Sequence, residues 1–106
     1  MTNFSEMLTK AKAMQEKMKE AQDQIKKIEV EGLSGGNLVK VILSGDYELK
    51  SIEIYENAKK ESQEIINDLI IAAYNNAKEN LKKKSAEELS KVTGGLNLPS
   101  DFKLPF

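Results

Sequence analysis

The chain has 106 residues, of which 40% are hydrophobic and 31% charged, and its formal net charge is −1. It contains neither His nor Cys, which excludes disulfides and removes the commonest catalytic base, the Cys nucleophile and most transition-metal ligands. We therefore expect no enzyme, no metal and no other cofactor. No segment approaches the ~20 apolar residues of a membrane span, and no signal-peptide pattern is present. A single-domain cytoplasmic protein with no membrane contact follows from these observations.

The charges are unevenly distributed along the chain. Residues 1–28 carry six Lys and four acids, residues 29–77 carry four Lys and nine acids, and residues 78–106 carry six Lys and four acids. Both ends are thus basic by two charges, whereas the middle is acidic by five. All sixteen basic residues are Lys, and Lys binds phosphate as a point charge, whereas Arg is the usual specific reader of guanine. The basic ends are therefore candidates for polyanion contact with little base discrimination.

The N-terminal segment reads as one long helix that begins after a capping residue, Asn3. Apolar residues recur there every seven positions and form two rows: Phe4, Ala11, Met18 and Ile25, and Met7, Met14, Ala21 and Ile28. This spacing predicts a helix to residue 28 that packs lengthwise on another helix. The Lys residues of this helix flank the two apolar rows, which together form a seam, and acidic residues lie between the Lys residues on the outermost face. Two interpretations remain open: a solvated face held by pairs such as Glu6–Lys10 and Asp23–Lys27, or a face that contacts phosphate.

Three short strands are predicted next. Ile28 to Glu31 alternates apolar and acidic residues, residues 32–36 are turn-rich, and residues 38–43 form a β-branched run. Ser44-Gly45-Asp46 interrupts that run, and residues 47–55 form a third. Short turns between such runs indicate an antiparallel meander. Glu29 and Glu31 are expected on the solvent face of the first strand.

A second long helix is predicted over residues 62–92, with Ser62 as its cap and a possible restart near Ser85. Its segment 68–77 is apolar around most of the helix, which requires enclosure on several sides. A chain of this length has few other residues that could enclose the segment. We therefore expect a second copy of the chain to enclose it. Two adjacent Asn residues in a helix need hydrogen bonds, for instance to a neighbouring strand or chain. The predicted dimer core comprises Leu69, Ile70, Ala73, Tyr74, Asn75, Asn76 and Ala77.

The C-terminal tail, residues 96–106, contains two Pro and five large apolar residues. The prolines argue against a helix, and the apolar content is unlike that of disordered segments. We therefore expect an extended tail that docks on a surface. The apolar rows of the first helix are rich in Met and Ala and would pack only loosely. Together with the tail, they support an alternative function, that of a protein–protein adaptor.

Four segments in order resemble the YbaB/EbfC family of bacterial nucleoid-associated proteins. They are the Met- and Gln-rich residues 11–18, the Gly-to-strand residues 35–45, the central residues 68–77, and the tail residues 95–99 and 102–106. The tail differs from the family pattern, because Ser100-Asp101 stands where Pro-Gly is usual. The resemblance covers essentially the whole chain.

The resemblance implies an α+β fold of order α-β-β-β-α, with a three-stranded antiparallel meander and long helical arms that form an intertwined homodimer. It implies one domain over 1–106, with an N-terminal arm (1–28), a sheet and core helix (29–77) and a C-terminal arm with the apolar tail (78–106). It further implies nucleoid association, DNA binding with weak or no sequence specificity, and effects on gene expression. The family's DNA-contacting helices hold, in this chain, Lys10, Lys12, Lys17, Lys19, Lys82, Lys83, Lys84 and Lys91.

Overall fold

A computed structural model describes residues 3–93 of the chain. The predicted element order is confirmed, with one short additional helix before the last long one. The elements are α1 (Phe4–Lys27), β1 (Glu29–Ser34), β2 (Val39–Ser44), β3 (Leu49–Ile54), α2 (Glu56–Lys59) and α3 (Gln63–Thr93). The tail predicted to dock lies outside the described residues.

The three strands form one antiparallel sheet in the order β1-β2-β3. Val30 lies opposite Leu43, and Val41 lies opposite both Gly32 on one side and Ile52 on the other. These side chains share the inner face, which α3 covers mainly over β1 and β2. The inner-face residues of β2 are fully buried, whereas Ile52 on β3 stays 43% exposed. The core therefore lies beneath α3, and the β3 side of the sheet is left uncovered.

Helix α3 approaches β1 so closely because Gly32 has no side chain. A Cβ built on Gly32 would lie 2.0 Å from the carbonyl oxygen of Ala73 and 2.6 Å from the Cβ of Ala77. Ala73 and Ala77 are fully buried at this crossing. Three small residues thus set the distance between helix and sheet, and the side chains of Ala73 and Ala77 are enclosed within a single chain.

Helix α1 packs on the C-terminal half of α3 near its own C-terminal end. Ala21 and Ile25 are buried there, and the backbone of Ile25 touches Gly45 of the β2–β3 turn, where a Cβ would lie 1.6 Å from the Ile25 oxygen. Burial then falls toward the N-terminus, because Met14 and Met18 are half-buried and residues 4–13 are all exposed. The first half of α1 therefore projects from a molecule that is 70 Å long.

Several boundaries differ from the sequence-based prediction. The first strand continues through Gly32 to Ser34, since Gly32 pairs with Val41 and belongs to the sheet rather than to the turn. α3 continues without a break at Ser85. The caps are confirmed: Asn3 accepts a hydrogen bond from the Ser5 amide at 2.9 Å, and Ser62 accepts one from the Ile65 amide at 3.3 Å.

Candidate nucleic-acid interface

Helix α1 carries an array of exposed Lys side chains that have no carboxylate partners among the described residues. All four N-terminal Lys candidates are exposed, and none forms an ion pair with a residue in the range 3–93. They are Lys10, Lys12, Lys17 and Lys19. The pairs Glu6–Lys10 and Asp23–Lys27, which a self-contained solvated face would form, are likewise not among the ion pairs of this range. The ammonium groups of these four lysines are thus available to an external anion.

The packing of α1 on α3 brings lysines from both ends of the sequence together. Lys82 of α3 and Lys26 of α1 line the same groove, and Lys19 borders a neighbouring depression with Gln22. The basic regions predicted as separate arms are therefore in contact within one chain. Lys26 was not among the candidate residues, although the seven-residue spacing of Lys12, Lys19 and Lys26 could have indicated it.

The three other candidate lysines of α3, which are Lys83, Lys84 and Lys91, lie near carboxylates. Lys83 and Lys84 share a shallow depression with Glu29, Glu31 and Glu87 at the margin of the sheet. Lys91 pairs with Glu88 at 3.3 Å, and Lys82 forms only a long contact of 3.8 Å with Glu79. The surrounding acids reduce the positive potential around Lys83 and Lys84, so the three consecutive lysines are not equivalent.

The outer face of the sheet is acidic, and Lys40 forms ion pairs with two of its Glu side chains. The Lys40 ammonium lies 3.3 Å from Glu31 and 3.8 Å from Glu53, and the Tyr55 hydroxyl donates to Glu53 at 2.7 Å. The hydrogen bond and the charge of Glu31, with a smaller effect of Glu53, raise the pKa of Lys40. The hydrogen bond to Glu53 raises the pKa of Tyr55. One Lys shared by two Glu leaves a negative surface, which disfavours contact with a polyanion on this face.

The segment 68–77 packs on the sheet and forms a hydrogen bond to the edge of β1. The Asn76 side-chain oxygen accepts a hydrogen bond from the Leu33 amide at 2.9 Å, and Asn80, one turn later, donates to the Glu31 carbonyl at 2.8 Å. These bonds occupy the outer edge of β1, so one of the bonds expected for the Asn pair is formed to a strand of the same chain. Leu69, Ile70 and Tyr74 are half-buried against the core, and Asn75 is exposed.

Two further features limit the chemistry of the described part. Residues 3–93 contain no cluster of three or more His, Cys, Asp or Glu side chains that could hold a metal ion. None of their helices is both long and apolar enough to cross a membrane. The candidate lysines lie on α1 and on the C-terminal half of α3, which packs against it, and we call this pair of helices the α1–α3 arm.

Comparison with known proteins assigns a class to this arrangement. The model of the YbaB/EbfC DNA-binding family matches residues 1–96, and the chain belongs to that family. A nucleoid-associated protein of Granulibacter bethesdensis is 42% identical over the full length of both chains, and one of Rickettsia typhi is 41% identical over the same extent. These descriptions denote DNA-binding, nucleoid-associated proteins rather than enzymes.

The fold is also present among solved structures. The crystal structure of an uncharacterized Helicobacter pylori protein superposes with a TM-score of 0.70, covering 89% of this chain and all of that one. The sequence identity is 18%, so this similarity supports the α+β fold and carries no residue-level conclusion.

Proposed function

We propose that this protein binds DNA in the bacterial nucleoid, mainly through Lys–phosphate contacts made by the α1–α3 arm, and thereby influences gene expression. The observation that carries the proposal is the set of exposed Lys10, Lys12, Lys17 and Lys19 without ion-pair partners in the described range. Membership of a DNA-binding family supports the choice of DNA as the polyanion. The absence of Arg supports weak sequence discrimination, because phosphate contacts position a protein without reading bases.

A salt-dependent titration tests the Lys–phosphate mechanism. Anisotropy of a labelled duplex is measured with wild type and with Lys12/Lys19→Gln at several salt concentrations. If both lysines contact phosphate, affinity falls and the slope of log K against log salt becomes shallower by about 2 for each chain bound to the duplex, since each contact contributes about 0.9. The control is Lys59/Lys60→Gln, which removes the same charge at α2. An equal loss in the control, or binding indifferent to salt, contradicts the mechanism.

The inequivalence of Lys82, Lys83 and Lys84 gives a second test. Lys82 lines the same groove as Lys26 and has one long ion-pair contact with Glu79, whereas Lys83 shares its depression with three Glu side chains. We therefore expect Lys82→Gln to weaken DNA binding more than Lys83→Gln, although both remove one charge from adjacent positions. Equal effects would indicate that only the overall charge matters. Lys84 and Lys91 are proposed as lesser contributors for the same electrostatic reason.

The active form is proposed to be a homodimer. The β1 edge is occupied by Asn76 and Asn80, but β3 ends the sheet on the other side, with Leu49 and Ile52 exposed. Ile71 of α3 is 58% exposed as well. An uncovered strand edge with apolar side chains favours association with a second chain. In this proposal Ile70, Tyr74 and Asn75 contact the partner, whereas Leu69, Ala73, Asn76 and Ala77 support that surface from beneath.

Two neighbouring substitutions on β3 test the dimer. Ile52→Lys places a charge on the uncovered inner face, and Ser51→Lys places the same charge on the outer face. The mass in solution, measured by light scattering, is expected to fall to that of one chain for Ile52→Lys only. Dissociation by both variants, or by neither, would contradict an interface on the inner side of β3. Ala73→Glu is unsuitable, because Ala73 is enclosed against Gly32 and the change would disrupt the single chain.

The adaptor alternative is favoured by one observation, the exposed apolar tip of α1. Phe4 is 72% exposed, Met7 56% and Leu8 47%. A pure protein that shows no DNA affinity at low salt, yet retains a partner after nuclease treatment, would support the adaptor. Loss of that partner on Phe4→Ser/Met7→Ser would locate its site.

A further inference from the structure

A groove forms where α1, the β2–β3 turn and α3 meet. Its cavity volume is about 500 Å³, and its lining includes Ile25, Lys26, Tyr47, Lys82, Ala86 and Leu89. We call it the junction groove. Ile25 and Leu89 are buried at its base, whereas Tyr47 is 44% exposed at its margin. An apolar base with charged margins suits a peptide with apolar side chains better than a phosphate backbone.

We propose that the junction groove is the docking site of this chain's own C-terminal segment, residues 94–106. The helix α3 ends at Thr93, about 6 Å along its axis from Leu89 and about 16 Å from Lys82, at 1.5 Å per residue. The thirteen residues that follow can span about 43 Å when extended. The segment begins one helical turn from the groove and is long enough to run its whole length.

The sequence of the segment fits this site. Gly94-Gly95 follows α3 directly, and Gly permits the left-handed conformations with which a chain reverses at a helix end. Pro99 and Pro105 disfavour a helix in the residues that precede each of them. In an extended chain, side chains two residues apart face the same way, so Leu96 and Leu98 present one apolar surface to the groove.

Charge complementarity points the same way. Lys26 and Lys82 outnumber the single acid of the groove, Asp46. The segment 94–106 carries one negative charge, at Asp101, and one positive charge, at Lys103, and Asp101 comes first along the chain from α3, so the groove lysines can be matched by Asp101. The docked segment would join α1, the β2–β3 turn and α3, and so fix the geometry of the arm. The docked segment would share Lys82 with the proposed DNA contacts, but its test measures the position of the segment and not DNA affinity.

A spin label on the segment tests the proposal in the full-length chain. Because the chain has no Cys, Ser100→Cys provides a unique attachment site for a nitroxide. Paramagnetic broadening of amide signals is expected at Gly45, Tyr47 and Ala86, and not at Gly36 in the β1–β2 turn. The isotope-labelled, spin-labelled chain is measured in an excess of unlabelled, diamagnetic chain, so that only intramolecular contacts broaden its signals. No broadening at the groove overturns the proposal.

A reciprocal mixture identifies the occupant. When isotope-labelled wild type is mixed with spin-labelled, unlabelled chain, the groove signals are expected to stay sharp. Broadening in this mixture with none in the first would mean that the segment of a second copy occupies the groove, and the proposal in its intramolecular form would be wrong.

A matched pair of groove variants completes the test. Ala86→Glu introduces a carboxylate at an exposed position of the groove wall, and Lys83→Gln shifts the charge of α3 equally at a position outside it. Broadening at Gly45 and Tyr47 is expected to fall at least twofold in Ala86→Glu and to persist in Lys83→Gln. Persistence in both variants contradicts docking in the groove.

Discussion

Gly32 is the residue on which the crossing of sheet and helix depends. In Gly32→Ala the new Cβ would meet the Ala73 carbonyl and the Ala77 backbone and side chain, none of which is a flexible chain end. Because overpacking of this kind forces the backbone apart, we expect a loss of about 3 kcal/mol in the free energy of unfolding. Urea denaturation measures it. Gly36→Asn is the control, since nothing lies within 4 Å of a Cβ there and Asn tolerates the left-handed φ of 63°; its cost should stay below about 1 kcal/mol.

Asp46 makes the β2–β3 turn sensitive to acid. The buried Ser44 hydroxyl donates to the Asp46 carboxylate and accepts from the Glu48 amide at 3.0 Å. The hydrogen bond from Ser44 lowers the pKa of Asp46. A lowered pKa in the folded state means that the carboxylate stabilises the fold above its unfolded pKa and that this contribution is lost as the pH falls through the folded value. Wild type should therefore lose more stability on acidification than Asp46→Asn in urea titrations across that range. Parallel curves would contradict the assignment.

Some properties of single residues could be predicted from the sequence, and others could not. A hydrogen bond between the Asn pair and a strand was predictable, because Asn is unfavourable in a helix without one. The different surroundings of Lys82 and Lys83 were not, since they depend on the crossing of α1 and α3. Gly32 looked like a turn residue because its role as a contact point exists only once the helix lies over the sheet.

At the scale of elements, α3 protects the edge of β1. Asn76→Ala removes the acceptor of the Leu33 amide, and the loss of one exposed hydrogen bond should cost about 1 kcal/mol. Hydrogen exchange at the Leu33 amide should accelerate at the same time. The adjacent Asn75 has no hydrogen bond with the described residues through its side chain, so Asn75→Ala should leave that exchange unchanged. Equal acceleration in both variants would mean that the edge opens with α3 as a whole.

The element boundaries were predictable to within a few residues, because strand and helix periodicities are clear in this sequence. The exceptions have physical causes. α2 spans four residues, too few to show a helical period. The expected restart at Ser85 does not occur, because Ser85 lies against the junction groove within a helix already held by Leu81 and Leu89. Tertiary packing overrides the local capping signal there.

In the whole molecule, charge is unevenly distributed, because the middle of the chain with the sheet is acidic and both terminal regions are basic. A dimer would carry two arms with the same lysines. Because linked sites bind one polymer more tightly than separate sites, the dimer would bind DNA more tightly without any new type of contact. If both arms of the proposed dimer contact one duplex, the monomeric Ile52→Lys variant should show about half the wild-type slope of log K against log salt, since half as many phosphates are neutralised. The dimeric Ser51→Lys control carries the same added charge and should retain the full slope. An unchanged slope in a verified monomer would show that a single arm accounts for all phosphate contacts. Association would then serve another purpose than DNA binding.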